Sequence, residues 1–355
     1  MTSVTALCQP PPLSLVASSG VSSEFALEIR HLRTTFPGPD GPVAIVDDVS
    51  LAVRPGEMLA VVGESGSGKS MTFLSALGLV PKPGRVESGE VLVGGRDLMR
   101  MRPEELRACR GSAISIIFQD PMSGLNPVFS VGEQIGEVLR AHRRISPAQA
   151  KTQAIDLLNR VQIPDARRRF DHYPHQFSGG MRQRVLTAMA IAHGPQVLIA
   201  DEPTTALDVT VQAQVLDLID SLRREAGMAV VLITHDLGIV ARHADRMVVM
   251  YAGRLVEEGP VGEVFAAPRH PYTISLLRCI PHLDAPAGAD LMSISGQPPL
   301  SGSVRQGCPF EARCYVGRGR EECRGTRPQL EAVGSPAHLS ACHFSQSLEE
   351  EEARA

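Results

Sequence analysis

The chain has 355 residues, of which 43% are hydrophobic and 21% charged, so it holds enough apolar material for a folded core and wholesale disorder is excluded. Its 35 basic and 39 acidic residues give a formal net charge of −4. Non-specific nucleic-acid binding needs a basic field, so we expect no nucleic-acid partner. At about 150 residues per domain, the length favours roughly two domains.

The first 23 residues contain three consecutive prolines and no charged side chain. A secretory signal starts with a basic segment, so we expect residues 1–23 to form a disordered N-terminal tail instead. No run of about 18 apolar residues occurs in the chain, and we therefore expect no transmembrane helix.

Residues 25–62 favour β structure, because apolar and polar side chains alternate on both sides of a Pro- and Gly-rich turn at 37–42. The apolar run 58–62 predicts a buried central strand. A Gly-rich stretch follows, and residues 70–80 then predict a helix that is ended by the prolines beginning at Pro81.

Residues 126–175 have helical periodicity and more charge than the segment before them. Two further buried strands are predicted at 197–200 and 230–233, with an amphipathic helix at 209–225 between them. Alternating apolar strands and helices predict a parallel α/β sheet. Pro, Gly and Cys become frequent after Pro268, and we place a domain boundary near residue 265.

The segment 63–70 reads Gly-Glu-Ser-Gly-Ser-Gly-Lys-Ser and fits the phosphate-binding loop pattern G-x-x-x-x-G-K-[ST]. It follows a predicted strand and opens a predicted helix, which is the context that the pattern requires. Backbone amides would approach the phosphates, Lys69 would reach the β- and γ-phosphates, and the Ser70 hydroxyl would bind Mg²⁺. The residues that we expect to bind ATP here are Gly63, Ser65, Gly66, Ser67, Gly68, Lys69 and Ser70.

The predicted strand 197–200 is followed by two acids, Asp201 and Glu202. Beside a phosphate-binding loop, Asp201 would hold Mg²⁺ directly or through water, and Glu202 would act as general base toward the attacking water. About 20 residues earlier, a Ser-Gly-Gly sequence leads into a predicted helix, where backbone amides form an anion site. The residues of this sequence are Ser178, Gly179 and Gly180.

The order of these motifs resembles that of the ATP-binding subunits of ABC transporters over roughly residues 25–260. Further matches are a glutamine after an apolar strand, Gln119, a D-loop aspartate, Asp208, and a switch histidine, His235. The resemblance implies that the adenine-stacking aromatic is Phe36. It implies Gln119, Glu202 and His235 as catalytic residues, and Ser70, Gln119 and Asp201 as Mg²⁺ ligands.

The implied fold is an α/β P-loop NTPase of the ABC ATPase type over residues 24–265. It would combine a parallel core sheet, an antiparallel β-subdomain and a helical subdomain at about 120–180. The stretches 118–127 and 173–181 look like those of peptide importer ATPases, although the signature reads Phe-Ser-Gly-Gly-Met. Met is familiar at its last position in that group.

Beyond Phe265, the sequences at 270–273 and 307–314 resemble the C-terminal extension of dipeptide and oligopeptide importer ATPases. The linker 300–306 departs from the family in lacking the usual proline. We expect this small irregular extension at 266–344, followed by an acidic tail at 345–355.

The resemblance implies an ATPase that energises uptake of dipeptides or oligopeptides, acting peripherally at the cytoplasmic face of the cell membrane. Expected partners are a second ABC ATPase in a heterodimer, two transmembrane permease subunits and an extracytoplasmic peptide-binding protein. Residues Ser178, Gly179 and Gly180 would contact the ATP held by the partner ATPase. Importers of nickel, glutathione or antimicrobial peptides stay open as alternatives, because this subunit does not touch the cargo.

Other classes fit less well. An ABC ATPase of DNA repair or chromosome structure needs a long coiled-coil insertion, which residues 71–177 cannot hold. A translation-associated ABC ATPase has two tandem cassettes, whereas this chain has one. A redox module with incidental nucleotide binding would leave the six nucleotide motifs unexplained.

Four of the seven cysteines lie in the last 50 residues with the spacing C-x₅-C-x₈-C-x₁₈-C. This spacing is too loose for a zinc ribbon, but four thiolates can hold a 4Fe–4S cluster or Zn²⁺. The family resemblance favours the cluster, because some peptide importer ATPases carry one at matching cysteines. Zn²⁺, a mixed site with His343, and no metal remain open. The four cysteines are Cys308, Cys314, Cys323 and Cys342, whereas Cys8, Cys109 and Cys279 are expected to be ordinary.

Overall fold

The computed structural model describes residues 24–39, 41–120, 124–205, 207–280, 293–299, 306–348 and 351. The predicted tail at 1–23, Cys8 within it, and nearly all of the linker 300–306 lie outside the described residues, as does most of the acidic tail. The described part of the chain contains no helix that is both long and apolar enough to cross a bilayer.

The strands are β1 (Leu27–Gly38), β2 (Gly41–Val53), β3 (Met58–Val62), β4 (Arg85–Val93), β5 (Arg96–Asp97), β6 (Ile114–Ile117), β7 (Val197–Asp201), β8 (Ala229–Ile233), β9 (Arg246–Tyr251), β10 (Arg254–Pro260), β11 (Glu331–Val333) and β12 (Ser335–Ser340). The α-helices are α1 (Lys69–Ala76), α2 (Pro103–Cys109), α3 (Val131–His142), α4 (Pro147–Arg160), α5 (Ala166–Arg169), α6 (Gly179–Ile191), α7 (Val209–Ala226), α8 (Leu237–His243), α9 (Val261–Ala266), α10 (Pro271–Arg278) and α11 (Glu321–Gly325). Short 3₁₀ turns lie at Leu98–Arg100, Pro174–Gln176 and Glu311–Arg313.

Two sheets organise these elements. The smaller one has the order β2-β1-β4-β5 and is antiparallel, which confirms the expected antiparallel β-subdomain. The larger one has the order β11-β12-β10-β9-β3-β8-β7-β6, and its stretch from β9 to β6 is parallel. Every residue of β3, β7 and β8 is buried, as continuous apolar strands of a parallel sheet covered on both faces must be. The predicted parallel α/β core is therefore confirmed.

The parallel register brings the polar ends of the central strands to one edge of the sheet. Val61 of β3 pairs with Ile233 of β8, and Ile233 pairs in turn with Asp201 of β7. The segments that follow these strands therefore meet at the carboxyl edge, where parallel α/β sheets bind ligands.

The helix predicted at 70–80 is shorter than expected and ends at Ala76. Gly78 adopts a left-handed φ of +62°, its N–H donates to the Ser75 carbonyl at 2.9 Å, and the Leu79 N–H donates to the Leu74 carbonyl at 2.8 Å. A left-handed glycine thus ends the helix before the prolines are reached, so our choice of Pro81 as the stop signal was wrong.

The predicted helical periodicity at 126–175 corresponds to α3, α4 and α5. Ser130 and Ser146 cap the first two of these helices, each accepting from the backbone N–H three residues on. The buried faces of α3 and α4 pack with α6 over the sheet in one core cluster. The domain limits at 120–180 stay a prediction.

The C-terminal extension continues the main sheet. Glu257 of β10 pairs with Ser340 of β12, and a buried hydrogen bond of 2.8 Å joins the Glu257 carboxylate to the His338 imidazole. We expected an irregular extension, and β11 and β12 correct that expectation, since they gain order by pairing with a cassette strand. The boundary near residue 265 stays a prediction.

Candidate functional site

The loop at 63–70 curves between β3 and α1 in a conformation that requires glycine at its start. Gly63 has a φ of +148°, and a Cβ there would lie 2.2 Å from the Met250 carbonyl oxygen. Ser65 and Gly66 are exposed at the tip, whereas the Ser67 Oγ is buried and has no hydrogen-bond partner among the described residues. A buried hydroxyl without a partner is costly, and it is the kind of group that a phosphate oxygen would satisfy.

Lys69 begins α1 and folds back over the loop. Its Nζ donates to the carbonyl oxygens of Gly63 at 2.8 Å and Glu64 at 3.0 Å. Burial lowers the pKa of Lys69, and the nearby charges of Glu202, Asp201 and Glu64 partly oppose that shift. The ammonium group therefore bonds the loop carbonyls and lies within electrostatic reach of Asp201 and Glu202 at the carboxyl end of β7.

Asp201 is the last residue of β7, and it is buried. Its Oδ1 accepts a hydrogen bond of 3.0 Å from the Ser70 hydroxyl. Burial raises the pKa of Asp201, the Ser70 hydrogen bond opposes this, and the charge of Glu202 adds to the increase. The hydroxyl oxygen of Ser70 and the carboxylate oxygen of Asp201 lie side by side at the sheet edge, and oxygen atoms are the ligands that Mg²⁺ prefers.

Glu202 follows Asp201 with a φ of +45°, which is unusual for a residue with a side chain. Its Oε2 accepts hydrogen bonds from Gln119 Nε2 at 2.7 Å and Thr205 Oγ1 at 3.0 Å, and its Oε1 lies 3.2 Å from His235 Nδ1. Burial alone would raise the pKa of Glu202, but the hydrogen bonds from His235 and Thr205 hold it below its usual range. The carboxylate is therefore ionised at neutral pH.

The structure brings six of the sequence-predicted side chains into one connected group. Hydrogen bonds and charge interactions link the side chains of Lys69, Ser70, Gln119, Asp201, Glu202 and His235. Phe36, the predicted adenine platform, lies on β1 with its ring packed directly against Gly84 and half buried.

The signature residues and Asp208 form a second group. Ser178 caps α6, and its Oγ accepts from the Met181 N–H at 3.4 Å. Gly180 packs against Val211 at the start of α7. Asp208 caps α7 by accepting from the Val211 N–H at 2.9 Å. The signature and the D-loop aspartate are therefore neighbours, both set at helix N-termini.

The four C-terminal cysteines line one cavity together with His270 and Phe310. Burial and the proximity of the other thiols raise the pKa of Cys308 and Cys342 to about 12, and that of Cys323 to about 11. In the part of the chain that the structure describes, no three His, Cys, Asp or Glu side chains converge as a metal site does. Elsewhere, Cys109 is buried beside Met101 and Cys279 is half buried.

Sequence reasoning missed Thr205 and three residues around the start of the loop. Glu64 was taken only as a variable position of the motif, and Tyr272 and Arg313 only as part of the extension. Arg313 donates two hydrogen bonds to Glu64, and Tyr272 accepts one from the Glu64 N–H. Thr205 could have been found from its position three residues after Glu202, but the other contacts carry no local signal.

The sheet, the phosphate-binding loop and the acids at the strand ends define a nucleotide-binding cassette. The model of the ABC transporter family matches residues 46–205, and that of the oligopeptide/dipeptide transporter C-terminal region matches residues 256–323. The oligopeptide transport ATP-binding protein OppD of Salmonella typhimurium is 49% identical over 316 residues, which cover 89% of this chain and 92% of the relative. The chain belongs to this family of ABC transporter ATP-binding proteins.

A second relative and a solved structure are consistent with this family membership. The dipeptide transport ATP-binding protein DppD of Bacillus subtilis is 49% identical over 292 residues, covering 82% of this chain and 87% of DppD. Among solved structures, the dimeric post-hydrolysis state of the ATP-binding cassette MJ0796, bound to ADP and Pi, has a TM-score of 0.59 and 26% identity. That match covers 66% of this chain and 98% of MJ0796, which confirms the cassette fold.

Proposed function

We propose that this protein is the ATP-hydrolysing subunit of an importer for oligopeptides or dipeptides. The observation that carries the proposal is the Glu202 carboxylate, held by Gln119, Thr205 and His235 beside the Lys69 and Ser70 end of the phosphate-binding loop. The peptide cargo is inferred from OppD and DppD, whose names describe oligopeptide and dipeptide transport.

The phosphate-binding loop would hold the phosphates of ATP. Lys69 would exchange its bonds to the loop carbonyls for bonds to the β- and γ-phosphates, and the orphaned Ser67 hydroxyl lies in the same loop. The residues suited to Mg²⁺ are Ser70, Asp201 and Gln119. The bound ion would neutralise charge that develops on the phosphate oxygens.

Glu202 would act as the general base. The hydrogen bonds from His235 and Thr205 lower its pKa and so favour the ionised form, which can accept a proton from the water that attacks the γ-phosphate. His235 and Gln119 approach different oxygens of this carboxylate and so fix its orientation. The unusual φ of Glu202 is a strained conformation of the sort that concentrates at active sites.

The signature residues Ser178, Gly179 and Gly180, with Asp208, would serve a nucleotide held by a second ATP-binding subunit. The dimeric state of MJ0796 supports this arrangement, since that cassette is 26% identical. Two permease subunits and an extracytoplasmic peptide-binding protein would complete the importer, with this chain on the cytoplasmic face of the membrane. ATP would favour the closed ATPase dimer, and hydrolysis would release it.

The four C-terminal cysteines would hold a 4Fe–4S cluster. One observation supports the proposal: all four side chains line one cavity. Among the described residues these side chains do not converge as metal ligands do, so binding of the cluster would require the thiols to move together and lose their protons. Visible absorption, iron and sulfide are measured on anaerobically purified protein, with Cys314→Ser for comparison and Cys109→Ser as matched control. We expect a brown protein that loses iron only with Cys314→Ser; zinc in place of iron, or no metal, contradicts the cluster.

The test of the proposed function uses this chain copurified with its permease subunits. ATP hydrolysis is measured with the peptide-binding protein and a panel of dipeptides, longer peptides, nickel and glutathione. Stimulation by peptides is the expected result. Stimulation only by nickel or by glutathione would overturn the peptide assignment while leaving the ATPase assignment intact.

A further inference from the structure

The C-terminal extension reaches into the phosphate-binding loop through Arg313. Its Nη1 donates to Glu64 Oε2 at 2.6 Å and its Nη2 donates to Glu64 Oε1 at 3.0 Å, which is the two-pronged geometry of strong arginine–carboxylate pairs. The Arg313 side chain is only 4% exposed. The hydrogen bonds to Glu64 raise the pKa of Arg313. Because the arginine is buried, solvent screens its interaction with Glu64 only weakly.

A second residue of the extension holds the same loop residue by its backbone. The hydroxyl of Tyr272, in α10, accepts a hydrogen bond of 2.8 Å from the Glu64 N–H. Tyr272 is fully buried, and the rings of Tyr251 and Phe310 pack against it at centroid distances of 4.6 Å and 5.3 Å. Glu64 is therefore fixed by side chain and backbone at once.

The remaining donors of Arg313 are also used. Nη1 reaches the Tyr251 hydroxyl at 3.2 Å, Nε donates to the Ser295 carbonyl at 3.0 Å, and Nη2 reaches the Ile294 carbonyl at 3.3 Å. Arg313 thus ties the loop to the end of β9 and to the segment 293–299. A lysine cannot replace this set of contacts, because it lacks the planar fork.

Glu64 matters for nucleotide binding through its own carbonyl. Before nucleotide binds, Lys69 Nζ bonds the carbonyls of Gly63 and Glu64, so a shift of Glu64 would displace the lysine from the position in which it awaits the phosphates. We infer that Tyr272 and Arg313, which we call the loop clamp, are positioning residues of the ATP site: they hold the phosphate-binding loop in the conformation that binds ATP. This inference rests on the proposed nucleotide site.

The clamp acts on the loop before and during the reaction, so its loss should weaken nucleotide binding without changing the chemical step. The full chain is titrated with a fluorescent N-methylanthraniloyl ATP in Mg²⁺, and KM and kcat are measured in the assembled transporter. Arg313→Met should raise the Kd and KM by about fivefold or more, the lower end of coupling between distinct sites. Its kcat should stay at the wild-type value.

Three further variants make the test specific. Arg324→Met is the matched control, because Arg324 pairs with Glu311 in the same extension at 3.2 Å and is largely exposed; its Kd should equal that of the wild type. Arg313→Lys should restore little of the ATP affinity that is lost in Arg313→Met. Combining Glu64→Gln with Arg313→Met should weaken binding no more than Arg313→Met alone, since both remove one contact.

Three results would overturn the inference. The first is a folded Arg313→Met variant with an unchanged Kd for ATP, and the second is a lower kcat with an unchanged KM. The third is a double variant whose loss of ATP affinity is the sum of the losses in the two single variants. If Arg313→Met fails to fold, Tyr272→Phe decides: it keeps the ring and removes only the hydroxyl, and an unchanged Kd again overturns the inference. Lys69→Met tests the underlying site separately. If Lys69→Met loses ATP binding while Arg313→Met keeps the wild-type Kd, the clamp is rejected and the proposed nucleotide site stands.

Discussion

Replacing Glu202 by glutamine removes the proposed base while keeping its shape. Gln119 and Thr205 both donate to the same carboxylate oxygen, Oε2, so an amide oxygen in that place keeps both hydrogen bonds. The amide nitrogen would then face His235 Nδ1 across 3.2 Å, and it can donate a hydrogen bond there when the imidazole carries its proton on Nε2 instead of Nδ1. The substitution therefore removes a charge and leaves the local contacts in place.

The rate effect follows from losing the proton acceptor. A positioned general base contributes about 10²–10⁴-fold, so kcat for ATP hydrolysis by Glu202→Gln should fall by at least about 100-fold, or roughly 2.7 kcal/mol of activation free energy. The affinity for ATP should be retained, because Lys69, Ser70 and Asp201 are untouched. The melting temperature should change little, because the hydrogen bonds around residue 202 are kept.

The assay is phosphate release by the transporter copurified with this subunit, with fluorescent ATP binding measured in parallel. Glu225→Gln provides the matched control, since Glu225 is an exposed carboxylate that pairs with Arg160 at 3.0 Å. If Glu202→Gln, assembled with a similarly disabled partner ATPase, hydrolyses ATP at the wild-type rate, the reasoning from hydrogen bonds to general base is refuted.

Further outcomes are expected at the same site. Thr205→Val removes a hydrogen bond that lowers the pKa of Glu202, so the pKa of Glu202 should rise. Because the ionised form is active and is lost as the pH falls, the acid limb of the kcat profile should move to higher pH. An unchanged acid limb, or one that moves to lower pH, would contradict this prediction. Gly63→Ala places a Cβ 2.2 Å from the Met250 carbonyl oxygen. The free energy of unfolding, measured by denaturant titration, should therefore drop by about 1–3 kcal/mol, and nucleotide binding should be lost. An unchanged free energy of unfolding would contradict this prediction. Ser70→Ala should raise the Mg²⁺ concentration needed for half-maximal hydrolysis, and an unchanged requirement would count against Ser70 as a ligand.

The parts of the fold that were predictable are those written in local sequence. The apolar runs 58–62, 197–200 and 229–233 are typical of strands buried on both faces, and the residues at their carboxyl ends are those for which we propose a role in ATP hydrolysis. The sequence predicted Asp201 beside the phosphate-binding loop, and the family resemblance implied His235 as the switch residue. Because parallel strands end at one edge, Asp201 lies next to Ser70 of the loop and His235 lies next to Glu202. The end of α1 was missed because a single left-handed glycine, Gly78, acted before the more conspicuous prolines.

The parts that were not predictable depend on contacts between distant segments. Arg313 lies 249 residues beyond Glu64, in a Pro- and Gly-rich stretch with no periodicity to mark its partner. The strand β12 likewise forms because it finds β10 and the buried Glu257 carboxylate, which no pattern within 335–340 indicates. Sequence patterns report periodicity and motif order, but they do not report which loop a single arginine reaches.

The most direct test of the central claim is peptide uptake by the complete importer in proteoliposomes. Labelled dipeptides and oligopeptides are supplied with the binding protein on one side, and ATP with this subunit on the other. We predict ATP-dependent accumulation of peptide by the wild type and none with Glu202→Gln in a partner-disabled background. Accumulation that needs no ATP, or ATP hydrolysis that no peptide stimulates while another solute is transported, would contradict the claim.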